Sequence, residues 1–248
     1  MRIVGLKELK RQLETIEEKA DVYRKGGAKV PNIVMNLTCG NGQSIVADYI
    51  TSALYENNLR KFCGLDNMLE YRFDGTLKQM KQVFEDIASN AVYTNEYEGV
   101  VAVDISALAG YINEFQIEYF IEKIVDISQN ATLIVYYDAS IGKRMQIVKD
   151  RTIMAIGNNC IDIFVKPYSF KEYSEMIVQD IREKGIEIEC EKELKIALCK
   201  VLEKHPVKNA KQAAAVANDL AFCVDYGSFT SRINVNRLNE YFDSRVCL

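Results

Sequence analysis

The stretch Asn32–Ser44, NIVMNLTCGNGQS, most constrains what this chain can fold into. An apolar run leads into Gly40-Asn41-Gly42, and apolar residues then recur at helical spacing at Ala47, Ile50 and Leu54. Strand, glycine turn and helix in that order are the parts of a phosphate-binding loop. Glycines let backbone N–H groups converge on one point, and the helix N-terminus adds positive potential. In the pattern G-x-x-x-x-G-K-[ST] the Lys reaches the terminal phosphates and the hydroxyl holds magnesium. Gly42 and Ser44 keep their places here, whereas Leu37 stands at the first Gly and Gln43 at the Lys. A simpler reading stays open beside this one: the turn only reverses the chain between a strand and a helix.

The rest of the chain repeats the alternation. Strands are expected at 32–37, 68–73, 100–104, 132–137 and 161–165, with helical sequence between them at 44–55, 77–91, 113–128 and 143–156. Short apolar strands alternating with helices imply right-handed crossovers and a parallel sheet covered on both faces. Before the first strand, Leu6, Leu9, Leu13, Ile16, Ala20 and Tyr23 make one apolar stripe on a helix that Lys25-Gly26-Gly27 ends. From Phe170 onward the pattern is helical only, at 173–184, 191–203, 210–224 and 235–242. Pro167-Tyr168-Ser169 is the natural seam, giving an α/β domain over 1–168 and a small helical domain over 169–248.

Composition excludes several classes. The net charge of −4, from 31 basic and 35 acidic residues in mixed sign, leaves no basic stripe, so nucleic acid is not an expected partner. The N-terminus enters a charged helix directly, without the apolar core of a secretory signal, and the longest apolar runs fall well short of the ~20 residues a membrane helix needs. Seven cysteines without a C-x-x-C pair read as reduced, buried thiols, with Cys39 either a small filler of the loop or a reactive thiol, since a helix N-terminus lowers thiol pKa. The expectation is a soluble, cytoplasmic protein. His205 stands alone of its kind, so neither a metal cluster nor a catalytic triad can be built on it.

With the elements in this order, the chain resembles the AAA+ ATPases, in the branch of the stage V sporulation protein K, the red-type rubisco activases and the type VII secretion ATPases. IVGLKELKRQLETI is similar to that branch's opening helix, and VVAVDIS to its Walker B strand. FVKPYSFKEYSEMI is similar to the passage from the last strand into the lid, and KNAKQAAAVANDLA to the helix carrying the second sensor. The resemblance covers nearly the whole chain and implies a five-stranded parallel P-loop sheet in the order 5-1-4-3-2 with a C-terminal helical lid. It also implies a nucleotide site made by Gly40, Asn41, Gly42, Gln43, Ser44, Asp104, Asp138 and Lys211, with Ser44 and Asp104 toward the metal.

The departures from that family shape the functional expectation. Walker B chemistry needs an Asp to orient the magnesium shell and a following acid to polarise water. Asp104 is in place, but Ile105 follows it. Asp138 falls at the first sensor, where an anion would repel a phosphate, and Lys211 replaces the Arg of the second sensor without its two-pronged geometry. Asp104 read without the family is as well suited to cap the next turn. Gly157, Asn158 and Asn159 stand where the family has its trans-acting arginine, while Arg144 and Arg151 lie upstream. An arginine finger alone is worth roughly 10³–10⁵ in rate. The expectation is a degenerate, hydrolysis-deficient member with no catalytic residue of its own, acting as a binding, scaffold or regulatory protein toward a protein partner. It would take ATP or ADP with Mg²⁺ weakly or not at all, and be a monomer or small oligomer alone. The alternative is an active ATPase remodelling a protein partner, its missing groups supplied from elsewhere.

Overall fold

The computed structural model describes residues 5–26, 28–60, 68–73, 76–89, 99–111, 113–157, 159–222 and 232–245. Expectations placed on Gly27, Asp74-Gly75, Ala91, Asn158, Val224 and on Cys63, Cys223 and Cys247 lie outside the described residues. The chain divides into two compact units, one over 6–39 and 43–165, the other over 166–248 together with Gly5 and the loop tip 40–42.

The first unit opens with α1 (Lys7–Glu18) and α2 (Ala20–Gly26), then alternates β1 (Asn32–Met35), α3 (Gln43–Glu56), β2 (Met68–Arg72), α4 (Leu77–Ser89) and β3 (Val100–Asp104). It continues through a short α5 (Leu108–Tyr111), α6 (Glu114–Asn130), β4 (Thr132–Tyr136), α7 (Lys143–Ile156) and β5 (Cys160–Ile163). All five strands are parallel in the order β2-β3-β4-β1-β5, which is the expected 5-1-4-3-2. β1 is therefore central and its four residues are all buried, as a continuous NIVM run flanked by two strands requires. One face of the sheet closes against α4 and α6 with Phe73 at its centre, its ring 5.3 Å edge-on from Phe120 and 5.4 Å from Phe84.

Local chemistry fixes several boundaries that periodicity left loose. The opening stripe holds its face, with Leu9, Leu13, Ile16 and Ala20 buried, yet the single expected helix breaks at Lys19. An apolar stripe dictates which side faces the core, not that the backbone is continuous. β1 ends at Met35, two residues early, because Asn36 substitutes its side-chain amide for the next rung: Nδ2 donates to Val165 O at 2.9 Å and Oδ1 accepts from Val165 N–H. The α6 start is a capping box between Asn113 and Gln116, whose side chains each accept the other's backbone N–H.

The second unit comprises α8 (Phe170–Glu183), β6 (Glu187–Ile188), α9 (Glu191–Lys204), α10 (Ala210–Phe222), β7 (Arg232–Ile233) and α11 (Val235–Arg245). Its own core is formed by Ile177, Ile181, Leu194, Leu198, Ala217 and Leu238. α8 begins three residues before the expected Tyr173, since Ser169 and Glu172 form a second capping box directly after the seam. β6 and β7 pair in parallel over two residues each, too short a run for any periodicity to reveal. His205 ends α9 and stacks on Phe242, ring centres 6.0 Å apart. Among the described residues no helix is long and apolar enough to cross a membrane.

Candidate functional site

Parallel strands deliver their C-terminal ends to one edge, and in such sheets ligands bind in the crevice beyond those ends. β1 runs out there into the loop, and β2 and β3 end at the same level because Arg72 pairs in register with Asp104. Gln43 opens α3 and is buried. Its Nε2 donates to the loop carbonyl of Leu37 at 2.6 Å and to Asp104 Oδ2 at 3.0 Å. A neutral amide thus reaches back into the loop from the position where the phosphate-loop pattern has its lysine.

Asp104 is almost wholly enclosed, and its oxygens are taken. Oδ1 accepts the Ser106 N–H at 2.9 Å, while Oδ2 faces both the Gln43 amide and the Arg72 guanidinium, the latter at 3.3 Å. It caps the turn after β3 and takes part in the loop network as well. The influence of Cys39, then the Asp104 charge, raises the Arg72 guanidinium's pKa against the opposing effect of burial. Ser44 donates its hydroxyl to Glu70 Oε2 at 2.6 Å. Tyr136, at the end of β4, donates its phenol to the Gln43 carbonyl at 2.9 Å. Burial first, then the charges of Glu70 and Asp104, push that phenol's pKa well up, so it remains a donor.

Ile105 lies fully buried in the main core, its N–H bonded to Tyr136 O at 2.9 Å. The position following the strand-end Asp is thus a core position and offers no base. Asp138 is engaged by its own turn: Oδ1 caps Ala139–Ile141, accepting from Ser140 N–H at 2.8 Å and Ser140 Oγ at 2.6 Å. Of the expected arginine region, Gly157 closes α7 at φ +80° and Asn159 donates to Val30 O at 3.2 Å. Arg151 pairs with Glu114.

The loop tip packs within the second unit. Gly40 and Gly42 both hold left-handed backbone, φ +88° and +81°, which glycine adopts without strain. A Cβ on Gly40 would stand 3.1 Å from the Asn209 amide nitrogen. Asn41 Oδ1 accepts the Ala210 N–H at 3.1 Å, and Gly40 O accepts the Lys211 N–H at 2.8 Å, while Asn209 Oδ1 takes the Gln212 N–H at 2.9 Å. The tip thereby satisfies N–H groups at the start of α10 that the helix itself cannot pair. Lys211 meets the loop through its main chain, and its side chain is exposed.

The structure therefore draws Gln43, Ser44 and Asp104 into one network, commits Gly40 and Asn41 to a helix cap, and leaves Asp138 on its own turn. Glu70, Arg72 and Tyr136 were missed by sequence reasoning. The available signal was alternation: Glu70 and Arg72 are two apart on one strand and so share a face. Cys39 is exposed, not a buried filler, and Cys190 is exposed too. Among the described residues no cluster of three or more His, Cys, Asp or Glu suits a metal ion.

No protein-family model matches the chain, and no curated protein does. Solved structures do. A point mutant of Thermotoga maritima RuvB with serine in place of an alanine aligns over 98% of this chain and 70% of its own at 15% identity, with a TM-score of 0.63. The T. maritima RuvB Holliday junction branch migration motor aligns over 97% and 70% at 15% identity, TM-score 0.62. A second RuvB mutant, with glycine in place of a proline, aligns over 98% and 71% at 16% identity, TM-score 0.61. The fold is that of the AAA+ P-loop ATPases, a five-stranded parallel sheet flanked by helices with a small C-terminal helical part.

Proposed function

We propose that this AAA+ fold serves as a hydrolysis-deficient binding module, a scaffold or regulator for a protein partner, in the cytoplasm. The AAA+ fold generally takes ATP or ADP with Mg²⁺, and two substitutions argue against competent use of them here. The observation that carries the reading is Ile105, fully buried where a hydrolytic site needs an acid in contact with water. Gln43 supports it: an amide at the lysine position offers phosphate one charge-assisted contact fewer, a loss of roughly 1.5–3 kcal/mol, or about ten- to a hundredfold in affinity.

Of the expected site, Gln43, Ser44 and Asp104 are the residues of the first unit that a weakly held nucleotide would meet. Branch migration at Holliday junctions is the neighbours' activity; a net charge of −4 without a basic stripe argues against carrying it over. The test is ATP turnover by the purified protein with MgCl₂, alongside calorimetric titration of ATP. Absent turnover and weak or undetectable binding are expected. Magnesium-dependent turnover would establish the rival reading, an active remodelling ATPase.

A further inference from the structure

We infer that Arg72 is a built-in counter-ion that takes over, for Asp104 and the loop, the charge role a divalent cation has at such a strand end, so that the site is organised without metal. This deepens the proposed function, and rests on it only in assuming that Asp104 does no magnesium chemistry.

Asp104 stands at the centre of the network. Its side chain is 6% exposed, and a carboxylate so enclosed needs a paired charge and hydrogen bonds. The fold supplies all of these from within the first unit: the Ser106 N–H on one oxygen, the Gln43 amide and the Arg72 guanidinium on the other. The pairing is set by the sheet itself, since Arg72 stands opposite Asp104 in the β2–β3 register. It does not rest on one flexible side chain finding another. The Gln43 amide that shares Asp104 Oδ2 with the guanidinium also holds Leu37 O, which ties the loop to the end of β3.

Ser44, whose hydroxyl would otherwise sit on a metal, donates it to Glu70, which shares a strand face with Arg72. Glu70 and Asp104 against Arg72 leave the network at a formal −1 before any ligand arrives. A polyphosphate would add negative charge to a site whose one guanidinium is already engaged. A divalent ion would have to displace that guanidinium from Asp104. The residues present do not fit magnesium nucleotide; they fit one another.

The test is thermal unfolding of the full chain in EDTA and in MgCl₂, for wild type, Arg72→Gln, Arg72→Lys and the double variant Arg72→Gln/Asp104→Asn. Wild type should show the same Tm in both buffers. Arg72→Gln should fall by roughly 2–8 °C in EDTA, given a few degrees per kcal/mol for a chain of this size, and should recover in MgCl₂, because Asp104, Glu70 and Ser44 then face a missing charge. The recovery should vanish in the double variant, and Arg72→Lys should stay insensitive to magnesium. A wild type stabilised by Mg²⁺ as much as Arg72→Gln overturns the inference, as does an Arg72→Gln protein that folds and ignores the ion.

Should Arg72→Gln fail to fold, Mn²⁺ paramagnetic resonance on wild type decides: no bound ion is expected, and bound Mn²⁺ lost on Asp104→Asn overturns the inference. The two readings fail separately. ATP turnover that survives EDTA would sink the proposed function and leave Arg72 its role. Magnesium-stabilised wild type without turnover would do the reverse.

Discussion

At the scale of residues, two side chains set what the loop can do. Gln43 is held by Leu37 O and Asp104, and a lysine in its place would carry a charge and a longer reach. Gln43→Lys is therefore expected to tighten ATP by about tenfold or more through a restored charge-assisted contact. It should leave turnover absent, because Ile105 still offers no base. Calorimetric titration of both proteins checks this, and an unchanged affinity would mean that the loop no longer has a phosphate-binding shape. Thiol chemistry gives a second residue-level prediction. Cys39 and Cys190 are exposed, whereas burial, then the Asp162 charge, pushes the Cys160 thiol up to about 11. Near neutral pH, iodoacetamide should modify Cys39 and Cys190 well before Cys160, read by peptide mass spectrometry, since the thiolate is the reactive form. Early loss of Cys160 would contradict its burial.

Among the elements, the loop tip and α10 make the sharpest pair. The glycine turn is usually valued for the N–H groups it offers a phosphate, but here Gly40 O and Asn41 Oδ1 act as acceptors and cap a helix. Gly40→Ala would force a Cβ into left-handed backbone and into the Asn209 amide. A cost of roughly 1–2 kcal/mol is expected from the backbone alone, seen as a lowered midpoint in urea. A neutral effect would show that the cap can be rebuilt in another conformation. At β2 and β3, register does what pattern could not: it puts Arg72 opposite Asp104, and a shift of one residue in either strand would leave the two side chains on opposite faces.

For the whole molecule, the expected consequence of a site closed by its own charges is indifference to nucleotide. Light scattering on the purified protein should give a monomer or small oligomer, the same with and without ATP; an ATP-dependent hexamer would count decisively against the proposed function. The sequence by itself determined the class of fold, because short continuous apolar runs such as Val100–Val103, alternating with 3.6-residue stripes, match a parallel sheet buried on both faces by crossover helices. It also exposed the missing lysine and acid, which are matters of residue identity. Short-range chemistry was legible too, although Ser169-x-x-Glu172 moved a helix start that periodicity had put at Tyr173. Only the tertiary structure decided that Gln43, Arg72 and Asp104 meet, that Ser44 serves Glu70, and that the loop tip caps α10. Those partners are 26, 32, 61 and 169 residues apart in sequence, and such a contact depends on strand order, register and side-chain direction together. No local pattern encodes these, because each is fixed only when the sheet has formed.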